Sequence, residues 1–115
     1  MSDEFDAALR DLTGKLTQIE SVMDLDALRA QVADLEEQAS SPTLWDNPEA
    51  AQKVTSRLAH AQGQLRRIED LRRRLDDLPV LYELAEDEAD TSAIADADSD
   101  RAKLRQEISA LEVRT

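Results

Sequence analysis

The sequence predicts an all-α fold, an elongated antiparallel helical bundle or coiled coil of three to four helices. Aromatic residues make up only 3% of the 115 residues and glycine occurs twice, which argues against a sandwich or barrel. Charged residues make up 35%, and the apolar residues recur at alternating spacings of three and four, as on one face of a helix. Because such a face is not stable alone in water, several helices must cover one another.

The first helix is predicted over about residues 3–23, with Ser2 or Asp3 as its cap. Gly14 falls on the outward side of this helix, where we expect a propensity defect of about 1 kcal/mol rather than close approach by a partner. The apolar face comprises Phe5, Leu9, Leu12, Leu16, Ile19 and Met23.

The second helix is predicted over about residues 24–40 and ends before a Ser-Ser-Pro loop. Its apolar face starts out of phase with the first, so a kink or a short turn is expected at residues 23–25, with Asp24 as a cap. The face comprises Leu25, Leu28, Val32 and Leu35. In the following connection, Trp45 either anchors a partner or, as we expect, folds back with Leu44 to plug the end of the bundle.

The third and longest helix is predicted over about residues 48–88. Asn47 is its cap, and Pro48 follows where a missing N–H costs nothing. Pro79 interrupts the apolar pattern, so a kink or a one-turn break is expected near residue 79. Residues 80–88 are expected to continue the helix, with an apolar face of Val80, Leu81, Leu84 and Ala85. The apolar face comprises Ala51, Val54, Leu58, Ala61, Leu65, Ile68 and Leu75.

The last helix is predicted over about residues 92–113, after turn and cap residues at 90–92. Its apolar residues are Ile94, Ala97, Leu104, Ile108 and Leu111. Residues 1–115 therefore form one helical domain, and nothing in the composition calls for a second.

Several function classes are disfavoured by composition. The net charge of −12 makes the chain a poor general binder of nucleic acid, and without cysteine it has neither disulfides nor thiolate metal sites. His60 is the only histidine and falls on the solvent side of the third helix, with no placed nucleophile beside it. We therefore predict no catalytic residue, no metal and no cofactor.

The acidic start of the chain lacks an apolar run, and no stretch is long enough to cross a membrane, so a cytoplasmic location is expected.

One feature of the sequence is a candidate binding surface. It is a basic stripe on the outer side of the third helix. We define the basic stripe as Lys53, Arg66, Arg67, Arg73 and Arg74. It is a possible contact face for an acidic protein or for phosphates. The alternative is intrahelical pairing, because Glu69 precedes Arg73 and Asp70 precedes Arg74 by four residues, the favourable order.

The run Leu44-Trp45-Asp46-Asn47-Pro48-Glu49-Ala50-Ala51-Gln52-Lys53-Val54 follows Leu35-Glu36-Glu37-Gln38 and a Ser-Pro loop. Together these segments resemble the N-terminal domain of the bacterial peptide chain release factor 2 family, a class I release factor family. Asp76-Asp77-Leu78, Glu83-Leu84-Ala85 and Leu111-Glu112-Val113-Arg114-Thr115 are similar to that family too.

The resemblance implies an N-terminal interaction domain of a translation termination factor. In the family, further domains read UGA or UAA stop codons on the ribosome, and a Gly-Gly-Gln loop promotes peptidyl-tRNA hydrolysis. This sequence contains no Gly-Gly-Gln, and Ser41-Pro42-Thr43 is not the codon-reading Ser-Pro-Phe element. The implied partners are the ribosome, at the base of the large-subunit stalk, and the GTPase release factor. The mRNA stop codon would be contacted only through the missing domains, and the fragment is expected to be monomeric.

Two other functions fit the residues. A free-standing coiled-coil oligomer or adaptor would pair its apolar faces between chains, and its size in solution would reveal it. A helical arm that grips tRNA would need positive charge near its tip, yet residues 86–100, the expected tip, contain no Lys or Arg.

Overall fold

The computed structural model describes residues 3–114, which contain four α-helices, a short 3-10 helix and no strand. The helices are α1 (Asp3–Met23), α2 (Leu25–Ala39), α3 (Pro48–Asp87) and α4 (Thr91–Arg114), and the 3-10 helix spans Pro42–Asp46. The predicted all-α class is confirmed. Ser2, one of the two caps expected for α1, lies outside the described residues. None of the described helices combines the length and hydrophobicity that a bilayer crossing needs.

The chain divides into two compact units, each with its own core. The first unit holds α1, the C-terminal part of α3 and α4, as residues 3–22 and 69–114. The second unit, residues 23–68, holds α2, the 3-10 helix and the N-terminal part of α3. The apolar spacing predicts most of the helix faces that build these units. The prediction is wrong for Val80, Leu81 and Leu84, which are exposed because Leu78, Tyr82 and Ala85 form the buried side of these turns.

In the first unit, α1, α3 and α4 each bury one face. The rings of Phe5 and Tyr82 stack with centroids 3.8 Å apart and an interplanar angle of 26°, which joins the start of α1 to the end of α3. Leu16 and Ile108 are fully excluded from solvent. The buried residues of this unit are Phe5, Leu9, Leu12, Leu16, Ile19, Leu71, Leu75, Leu78, Tyr82, Ala85, Ala97, Leu104, Ile108 and Leu111.

In the second unit, α2 packs against the N-terminal part of α3. Asp24 is in the left-handed region (φ 51°), and its side chain accepts a hydrogen bond from the Ala27 N–H at 3.2 Å. The junction at residues 23–25 is therefore a one-residue turn with the expected cap. The core comprises Leu28, Val32, Leu35, Val54 and Ala61, with Leu25, Ala39, Leu44, Leu58 and Leu65 partly buried against it.

Pro79 lies inside α3, which continues without interruption to Asp87. Of the two expectations at residue 79, a kink or a one-turn break, the break is therefore wrong. The proline removes only one N–H donor, whereas Leu78 and Tyr82 on either side are buried, at 1% and 7% exposure. Burying two large side chains favours the helix by several kcal/mol, roughly what an interior proline costs, so packing prevails over propensity.

A left-handed residue separates α3 from α4. Ala89 has φ 51°, and the Asp90 N–H donates to the Ala85 carbonyl at 2.9 Å, as in a Schellman C-cap. Asp90 then caps α4, since its carboxylate accepts from the Ala93 N–H at 3.0 Å. The last helix thus begins at Thr91, one residue before the position expected from the sequence.

Candidate partner-contact surface

The N-terminal part of α3 is oriented by its cap and its buried face. Asn47 accepts a hydrogen bond from the Ala50 N–H at 3.3 Å, as its position before Pro48 predicts. Val54 and Ala61 are buried against α2, which turns Lys53, His60, Arg66 and Arg67 to the opposite, exposed side.

Arg66 and Arg67 present their charges to solvent. Both side chains are exposed, as is Lys53, and no salt bridge from these three residues occurs among residues 3–114. Unpaired, exposed guanidinium groups remain available for carboxylates or phosphates, to which they bind with two parallel N–H···O bonds. This part of the basic stripe therefore has the geometry of a contact face.

Arg73 and Arg74, by contrast, are engaged within the first unit. Arg73 forms a short ion pair with Asp70 on the same helix. Arg74 Nη1 lies 2.7 Å from Glu107 Oε2 on α4 and 3.7 Å from Asp70 Oδ2. The expected Asp70–Arg74 pair is present, but the stronger contact of Arg74 is with another helix. Arg74 therefore joins α3 to α4 within the unit, whereas Arg73 is paired along its own helix.

Arg57 extends the exposed basic surface and was not singled out from the sequence. It is exposed and lies one turn from Lys53, with which it lines a shallow depression of about 440 Å³ on α3. The remaining lining residues are Glu49, Gln52 and Ser56. The spacing of four from Lys53 was the signal that would have found it.

Arg72 is another arginine outside the basic stripe, and it has a structural role. Its Nη2 lies 2.5 Å from Glu20 Oε1, its Nε donates to Glu20 Oε2 at 3.2 Å, and Nη2 also donates to Thr17 Oγ1 at 3.0 Å. The hydrogen bond to Glu20 raises the pKa of Arg72, against the opposing effect of burial. Arg72 therefore stays charged and ties α3 to α1 at neutral and mildly alkaline pH.

Trp45 does not plug the second unit. The side chain of Trp45 is 57% exposed, whereas Leu44 is the residue of this pair that packs on the core. The indole N–H donates to the Ala39 carbonyl at 3.1 Å, which satisfies a carbonyl at the end of α2. The expectation that both residues fold back and plug the bundle end is therefore wrong for Trp45, which bonds to the end of α2 but remains exposed.

His60 is exposed. Among residues 3–114, no three His, Asp or Glu side chains converge in a way that could hold a metal ion. The surface formed by Lys53, Arg57, Arg66 and Arg67 is suited to binding anions rather than to covalent or acid–base chemistry.

Comparison with known proteins places the chain among translation factors. The PCRF domain family matches residues 28–115. The chain is 57% identical over 115 residues to peptide chain release factor 2 of Saccharopolyspora erythraea, covering 100% of this chain and 31% of that protein. It is 58% identical over 109 residues to peptide chain release factor 2 of Mycobacteroides abscessus, covering 95% of this chain and 30% of that protein. The chain thus spans about a third of the length of these curated relatives.

Proposed function

The chain belongs to the PCRF domain family, and on that premise we propose that it is the N-terminal interaction domain of a translation termination factor. The proposal rests on one observation. Over its whole length the chain has 57% sequence identity to peptide chain release factor 2 of Saccharopolyspora erythraea. The alignment covers all four helices and the connections between them, so it is not a general likeness among charged helices.

The complete factor would recognise UGA and UAA stop codons on the ribosome and promote hydrolysis of peptidyl-tRNA. This chain holds neither a Gly-Gly-Gln sequence nor a Ser-Pro-Phe element, so codon reading and hydrolysis would reside in other domains. The domain described here supplies contacts and no catalysis, requires no cofactor and acts in the cytoplasm as a monomer. It would meet the mRNA stop codon only through those other domains.

The contact face of the domain is the exposed basic surface of α3. Its partners are the ribosome, at the base of the large-subunit stalk, and the GTPase release factor. Arg66 and Arg67 support this assignment because both are exposed and form no salt bridge within residues 3–114. Arg73 and Arg74 contribute less, since their charges already meet Asp70 and Glu107.

Binding of the fluorescently labelled chain to isolated large ribosomal subunits tests this assignment. Reversing both charges with R66E/R67E is expected to weaken binding about tenfold or more, and raising the salt concentration should weaken binding of the unmodified chain. The matched control is K103E/R105E, which changes the net charge equally at two exposed positions of α4. Equal losses in both variants would show a general charge effect and would contradict the proposed face.

A free-standing oligomer remains the rival function. Light scattering distinguishes the two, because a monomer whose helices cover one another is expected here. A stable dimer would favour the adaptor function instead.

A further inference from the structure

The C-terminal part of α3 presents an apolar patch to solvent. We define this patch as Val80, Leu81 and Leu84, whose exposures are 58%, 51% and 53%. Val80 and Leu84 are one helical turn apart, and Leu81 lies beside them, so the three share one face. The opposite face of the same turns is buried through Leu78, Tyr82 and Ala85. The patch is thus not part of the core that holds α3 in the first unit.

Carboxylates surround the patch. Asp77 lies one turn before it, Asp87 and Glu88 lie one turn after it, and Asp76 and Glu83 flank it. All five are exposed, and the sequence contains no Lys or Arg between Leu75 and Asp100. The patch is therefore an apolar surface within a strongly negative field.

The charges around the patch indicate which kind of molecule can bind it. A second copy of the chain seated on the patch would bring carboxylates against carboxylates, and like charges opposed across an interface are costly. A nucleic acid would be repelled by the same groups. A protein partner with basic side chains around apolar ones would complement both the apolar patch and the carboxylates around it. Three apolar residues at helical spacing can pack against the apolar face of an amphipathic helix.

We propose that the patch docks a basic amphipathic helix of a protein partner. Leu or Ile side chains spaced three and four residues apart would cover Val80, Leu81 and Leu84. Lys or Arg side chains on either side would meet Asp77, Glu83 and Asp87. The interface lies on a different part of α3 from Arg66 and Arg67, so it does not depend on the function proposed above for those residues.

A synthetic helical peptide about five turns long tests the proposal, with Leu at one face and Lys elsewhere. Titration calorimetry with the full 115-residue chain measures affinity, and amide chemical shifts locate the binding site. V80S/L84S is expected to weaken binding about tenfold, because truncating central apolar anchors has the largest effect on an interface. These side chains are more than half exposed, so the variant should keep its helical circular dichroism.

Two controls separate the patch from general charge attraction. The matched variant V22S/V113S replaces two other exposed valines, 57% and 89% exposed, and should bind the peptide like the unmodified chain. A peptide with Glu in place of every Lys should not bind. Unchanged affinity in V80S/L84S, or equal losses in both serine variants, would overturn the proposal. It would also be overturned if the chain were dimeric and V80S/L84S made it monomeric, or if RNA added without the peptide shifted the amide signals of the patch.

Discussion

The ion pair between Arg72 and Glu20 should be the strongest single polar contact in the first unit. It has two charge-assisted hydrogen bonds, and its side chains are only 26% and 20% exposed. Fully exposed pairs contribute about 0.2–1 kcal/mol, whereas breaking a buried pair costs about 3–5 kcal/mol. Because the pair is partly buried and is joined by two hydrogen bonds, its coupling energy should lie between these values, at about 1.5 kcal/mol.

A double-mutant cycle measures this coupling. Arg72→Met keeps the aliphatic stem, Glu20→Gln keeps the side-chain shape, and the double variant completes the cycle. Urea unfolding followed by far-UV circular dichroism yields the free energy of unfolding for each protein.

The control cycle uses Lys15 and Asp11, an i, i+4 pair 3.3 Å apart with 35% and 63% exposure. It should give a coupling of about 0.3 kcal/mol that disappears at high salt, whereas the Arg72–Glu20 coupling should largely persist. Equal coupling in the two cycles would refute the argument from burial and geometry.

Three further substitutions should each stabilise the chain in the same urea assay. Ala89→Gly should add about 1 kcal/mol, because the left-handed φ of 51° disfavours a residue with a Cβ; a loss would contradict the cap geometry. Gly14→Ala should add about 1 kcal/mol, since a Cβ there meets nothing within 4 Å; destabilisation would indicate a contact that the fold does not show. Pro79→Ala should add about 1–2 kcal/mol by supplying the missing N–H, and a lower urea midpoint would show that proline benefits the native helix.

The all-α class and the helix faces were predictable because they depend on local information. Apolar spacing of three and four identifies the buried side of α1, α2 and most of α3. It fails at the end of α3, where Val80, Leu81 and Leu84 recur at helical spacing and are nevertheless exposed. The caps at Asp24, Asn47 and Asp90 were equally accessible, since short polar side chains before a helix satisfy its free N–H groups.

The pairing of Arg74 with Asp70 was predictable from spacing, but the contacts of arginines with other helices were not, as three consecutive residues show. Arg72 binds Glu20 of α1, Arg73 pairs with Asp70 on its own helix, and Arg74 reaches Glu107 of α4. Which neighbouring helix lies beside each residue depends on tertiary packing, and the spacing along α3 carries no information about it.

Packing also accounts for the other differences. Pro79 lies in a helical position that local propensity disfavours, and the buried Leu78 and Tyr82 on either side hold the chain there. The exposure of Trp45 follows from the position of the Ala39 carbonyl, which becomes known only when the loop is placed.

Peptide release by a chimeric factor tests the central proposal most directly. The chain would replace the aligned 115 residues in peptide chain release factor 2 of Saccharopolyspora erythraea. If the chain is a release factor interaction domain, the chimera should release peptide in a termination assay about as fast as the parent. R66E/R67E should slow release at limiting factor concentration, and K103E/R105E should not. A folded chimera without release activity, where the parent is active, would contradict the account.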